Sequence, residues 1–90
     1  MVKRISSAQL RAARALLRWS AQELAKIAMV GVATIRRAEV VEGELQMNLA
    51  NEAAVRRALE TAGVEFIDQN GGGPGVRLKS PLRKKEKKDM

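Results

Sequence analysis

Arg36 and Arg37 stand side by side near the middle of this chain, with Arg18, Ser20, Gln22 and Lys26 shortly before them. All of these side chains donate hydrogen bonds, and the arginines and the lysine are cations at neutral pH. Their chemistry is the recognition of anions and polar edges. Groups that make and break bonds are scarce. The chain has no cysteine and no histidine. That excludes disulfides, zinc-finger ligation, a thiol nucleophile and imidazole acid–base chemistry. Carboxylates remain, but no acidic cluster marks a metal or catalytic site. The sequence therefore reads as a non-enzyme with no cofactor.

The charge points the same way. Seventeen basic residues against ten acidic give a net +7 over 90 residues, with pI about 10.6. Residues 79–90 alone hold six basic and two acidic side chains. A strongly basic chain is drawn to polyanions, above all nucleic acid. A merely solubilising tail gives the same balance. No apolar run reaches the roughly 18 residues of a membrane span. Met1 to Ser7 has two basic residues and no apolar stretch behind them, so it does not read as a signal peptide. Together with the missing cysteines, this places the expected protein in the cytoplasm, with no membrane partner.

The elements that position the donors follow from caps and periodicity. Ser6 and Gln9 form a capping-box pair ahead of Leu10, Ala13, Leu16 and Leu17, predicting a first helix over about 7–18. Ser20 and Glu23 form a second box, with Trp19 placed to staple onto Leu24. Leu24, Ile27 and Ala28 make the buried stripe of a helix over 21–28. After a break at Met29, Val30 and Gly31, a third helix is predicted over 32–40, with Ile35 and Ala38 inward and Arg36 and Arg37 outward. Asn48 or Asn51 caps a fourth helix running to Ala62, with Ala53, Val55, Ala58, Leu59 and Ala62 as its apolar face. Gly63 suits the position after its end. Val64–Ile67 and Val76–Leu78 are short strand signals around a glycine-rich loop, whose context does not fit a phosphate-binding loop. The expected division is 1–62, a helical domain; 63–78, a β or arm extension; and 79–90, a disordered basic tail.

Two short helices around a three-residue break, over residues 20–39, are the arrangement of a helix-turn-helix. Leu10–Arg14, Trp19, Ser20, Gln22–Ala25, Val30, Ala33–Arg37 and Glu39 together resemble the Cro/C1-type (XRE-like) helix-turn-helix family of bacterial and phage regulators. The resemblance covers roughly residues 7–60. It implies a mainly α, lambda-repressor-like domain of four or five helices, here with a short C-terminal β extension. It implies that the third helix enters the major groove of double-stranded DNA. Base contacts would then come from Val32, Ala33, Thr34, Arg36 and Arg37. Arg37 suits a bidentate contact to guanine, and Val32 or Ala33 suits a thymine methyl. Phosphate contacts would come from Arg18, Ser20, Gln22 and Lys26. The alternative for each charged group is plain solvation or, for Arg36 and Arg37, phosphate binding. The resemblance also implies a structural ion pair between Arg14 and Glu39.

Three positions depart from the family pattern. Met29 stands where the turn usually has glycine, Gly31 where a serine or threonine usually caps the third helix, and Ala21 where a glutamine usually opens the second. A turn rebuilt around Gly31 is one expectation. The function implied is that of a sequence-specific transcriptional regulator, a dimeric repressor by expectation. An autoregulating antitoxin reads the same way. Dimerisation is expected through Val64, Phe66 and Ile67, since a lone short strand offers open edges. Intramolecular packing of that strand on the fourth helix is the alternative. Ala21, Met29, Val32 and Ala33 favour a second reading, a protein-interaction module (anti-activator or adaptor) on the same scaffold.

Overall fold

A computed structural model describes residues 4–69 and 71–80. Four helices and one antiparallel hairpin follow in order: α1 (Ser7–Leu17), α2 (Ala21–Ala28), α3 (Val32–Val40), α4 (Leu49–Thr61), β1 (Val64–Ile67) and β2 (Gly75–Leu78). The class is mainly α.

Local chemistry sets the boundaries. The Ser6 side chain accepts from the Gln9 N–H, and the Gln9 side chain accepts from the Ser6 N–H. Ser20 and Glu23 repeat this at α2. Asn48, rather than Asn51, caps α4 by accepting from the Asn51 N–H. Each bond satisfies a helix-end donor that would otherwise lack a partner.

The first two helices end alike. At α2, the Val30 N–H returns to the Ala25 carbonyl and the Met29 N–H to the Lys26 carbonyl. This is the Schellman pattern, which requires a left-handed residue after the helix. Met29 supplies it, at φ 60° and ψ 45°. At α1, Trp19 returns to Arg14 and Arg18 to Ala15, with Arg18 left-handed at φ 59°. Helix α1 therefore stops at Leu17, and Arg18 is its cap. A non-glycine residue in this region costs about 1–2 kcal/mol. Burial of Val30 beside Met29 helps to hold the turn. The turn is not rebuilt around Gly31. That residue is extended (φ −61°, ψ 140°) and is the N-cap of α3.

The core is built from Leu10, Leu24, Ile35, Val55, Leu59 and Val64, all fully buried, with the alanines of α1, α2 and α3 between them. Ile5 and Leu45, from segments flanking the helices, close it. Several expected core positions lie outside it. Leu16 and Ile27 are exposed, as are Ala53 and Ala62. The hairpin is not an appendage. It packs on α1 and α4, and Val64 joins the main core. The Gln9 side-chain amide donates to the carbonyls of Ile67 and Gly75, tying α1 to both strands. Of the expected basic tail, residues 81–90 lie outside the described residues.

Candidate nucleic-acid interface

The site is built on α2 and α3. Helix α3 buries Ile35 and Ala38 and turns Ala33, Arg36, Arg37 and Val40 outward. Its one acid, Glu39, points inward and is buried. Arg14 of α1 meets it there: Nε donates to Oε2 at 2.7 Å and a terminal nitrogen donates to Oε1 at 2.8 Å. A third donor of Arg14 reaches the Trp19 carbonyl at 2.7 Å. One guanidinium thus joins α1, the approach to α2, and α3. Its pKa is raised above the ordinary arginine value, chiefly by the hydrogen bond to Glu39, against a smaller opposing effect of burial. Arg11 adds a bond to the Glu39 main-chain carbonyl. The outer face of α3 is left with two arginines and no acid.

The pairing of cations divides the molecule. Arg4 pairs with Glu52, Arg11 with Glu42, Arg14 with Glu39, Arg56 with Glu60 and Arg77 with Glu65. Arg18, Lys26, Arg36 and Arg37 make no ion pair or side-chain hydrogen bond among the described residues, and all four are exposed. These four cations lie at the end of α1 and along α2 and α3. Arg57 on α4 is also unpaired, a residue that sequence reading did not single out. Its neighbour Arg56 is half buried, held by Glu60 one turn on and placed over the Phe66 ring.

The helix N-termini contribute unequally. The N–H groups of Ala21 and Gln22, at the first turn of α2, have no intrahelical acceptor. Gln22 is exposed. The Ser20 N–H, however, is held by the Glu23 carboxylate at 2.6 Å, and the Ser20 hydroxyl oxygen accepts from Glu23 N–H. Ser20 thus sits beside a negative charge, which weakens its attraction for a phosphate. At α3 no side chain caps the helix. The N–H groups of Val32 and Ala33 are open. Val32 and Thr34 are half buried, so Ala33, Arg36 and Arg37 are the expected base-contact residues that stand free on the surface.

The residues expected to dimerise lie in β1 of the hairpin. β1 is paired along its length with β2, Val64 with Leu78 and Phe66 with Val76. Val64 is fully buried and has no surface for a partner. Phe66 is half buried, with the Arg56 guanidinium 5.2 Å from its ring centre. Ile67 is also half buried. The strand is not alone, because the second apolar segment closes on it.

Comparison with known proteins found no family model that matches the chain, and no curated protein matches it. Among the described residues no helix is long and apolar enough to cross a membrane.

Proposed function

We propose that this chain is a lambda-repressor-like helix-turn-helix protein that binds double-stranded DNA in a sequence-dependent way and regulates transcription as a repressor. Helix α3 lies in the major groove, with Arg37 on a guanine edge, Arg36 on the base edge or the adjoining phosphate, and Ala33 against a thymine methyl. Arg18, Lys26 and the free amides of Ala21 and Gln22 fix the backbone. The observation that carries this reading is the distribution of unpaired cations. The one acid of α3, Glu39, is turned inward and paired, while Arg36 and Arg37 on α3, Lys26 on α2 and Arg18 just before α2 stand exposed without an ion pair. Few hydrogen-bonding groups face the bases, so part of the discrimination comes from DNA shape and deformability.

The second reading, a protein-interaction module, rests on an apolar α2–α3 surface. Two of the four residues that favour it, Ala21 and Val32, are half buried within the domain, which leaves Met29 and Ala33. Fluorescence anisotropy with a mixed-sequence duplex tests the choice. The DNA reading predicts that the double variant Arg36→Ala/Arg37→Ala loses affinity with a shallower salt dependence. Unchanged binding in that variant would favour the protein-interaction reading.

A further inference from the structure

The outward face of α3 carries Ala33, Arg36, Arg37 and Val40, all exposed. None of these side chains accepts a hydrogen bond. The one acid of the helix, Glu39, is buried on Arg14. Such a face can meet acceptors and apolar groups, but it has nothing for an amino group. In the major groove guanine offers two acceptors, thymine an acceptor and a C5-methyl, and cytosine only an amino donor. Ala33 and Arg37 stand one turn apart, with Cβ atoms about 5–6 Å from each other. Side chains of an α-helix lean toward its N-terminus, so the Arg37 stem runs back along Ala33. Arg36 has no such neighbour, because Val32, one turn before it, is half buried.

We infer that α3 reads the C5-methyl of the pyrimidine preceding a guanine, so that the chain binds 5-methylcytosine–guanine steps and discriminates against unmethylated ones. The inference rests on the DNA-reading proposal and deepens it. With Arg37 forked on guanine N7 and O6, Ala33 and the flank of the guanidinium face the base on the 5′ side. A methyl group packs there, whether thymine or 5-methylcytosine carries it. Unmethylated cytosine brings no methyl and turns its amino donor toward a cation, with no acceptor on α3 to receive it. Burying one methyl changes affinity by about fourfold. Methylation of the cytosine thus turns a weak step into a strong one.

Parallel selections by the full chain from two random-sequence duplex pools test it, one copied with dCTP and the other with 5-methyl-dCTP. The expected result is a guanine preceded by thymine in the first pool, and by thymine or methylcytosine in the second. On the selected duplex, methylcytosine at that position should lower Kd at least about threefold relative to cytosine. Ala33→Ser replaces the apolar contact with a hydroxyl that can accept from the amino group. With its helical circular dichroism spectrum retained, it should keep the guanine preference and lose the preference for the methyl. Guanine enrichment with equal binding of cytosine and methylcytosine would overturn this inference alone and leave the DNA-reading proposal standing. A folded chain that enriches no sequence from either pool would overturn both.

Discussion

Arg14 on α1 holds both carboxylate oxygens of Glu39 on α3, and the same guanidinium holds the carbonyl of Trp19 just ahead of α2. This pair adds a directional link to the packing of Ile35 and Ala38 that seats α3 in the core. Glu39→Ala leaves a partly buried guanidinium without its anion. Denaturant unfolding should show a loss of about 3 kcal/mol. Arg14→Met/Glu39→Met, which removes both charges, should recover more than half of that. A loss below about 0.5 kcal/mol in Glu39→Ala would mean that the pair behaves as a surface ion pair.

Met29 offers the opposite sign. Glycine relieves the left-handed strain but adds freedom to the unfolded chain, so the two effects partly cancel. Met29→Gly should gain about 0.5–1 kcal/mol in denaturant unfolding at concentrations where the chain is monomeric. A destabilised variant would show that the methionine side chain contributes packing within its own chain.

The hairpin carries a pH signature. Glu65 and Arg77 face each other across the strands, and the Glu65 carboxyl is held below its ordinary value of 4.5, chiefly by the hydrogen bond from Arg77 and then by its charge. A lowered folded-state pKa gives stability that is fully present above the unfolded value and is lost as pH falls through the folded one. The stability difference between the native chain and Glu65→Gln should be flat near neutrality and shrink below about pH 4.5. A difference that grows on acidification would contradict the pairing. Both groups are solvent-exposed, so salt should reduce the effect.

The lysine-rich end has its own test. Removing residues 81–90 takes away Arg83, Lys84, Lys85, Lys87 and Lys88. If these cations contact phosphates, the slope of log affinity against log salt should become shallower by several charges, while sequence preference stays as it was. An unchanged slope would make the segment a bystander in DNA binding.

Much of the fold was legible because its signals are local. The Ser6/Gln9 and Ser20/Glu23 boxes place the starts of α1 and α2, and periodicity places Ile35 and Ala38 inward. What was illegible depends on contacts distant in sequence. Ile5 and Leu45 are single apolar residues in irregular segments, and only the closing of the core over them makes them structural. Ile27 matches the helical period, but the buried stripe of α2 is narrower than the period alone implies. The sequence leaves the turn open between a strained, left-handed Met29 and a turn rebuilt around Gly31. The Schellman bonds from Val30 and Met29 require the left-handed conformation at Met29. For the site, the identity of the exposed arginines was readable, but which cations are spent on internal partners was not. Arg56, spent on Glu60 and Phe66, and Arg57, which has no ion pair, are adjacent and identical in sequence terms.

The most direct test of the central claim is selection from a random-sequence duplex pool by the full chain, at near-physiological salt and with excess non-specific competitor DNA to absorb the sequence-independent attraction of the basic end. The account predicts enrichment of a two-fold symmetric site with half-sites about one helical turn apart, and loss of that enrichment in Arg37→Ala, which remains folded. A folded native chain that enriches no sequence would contradict it.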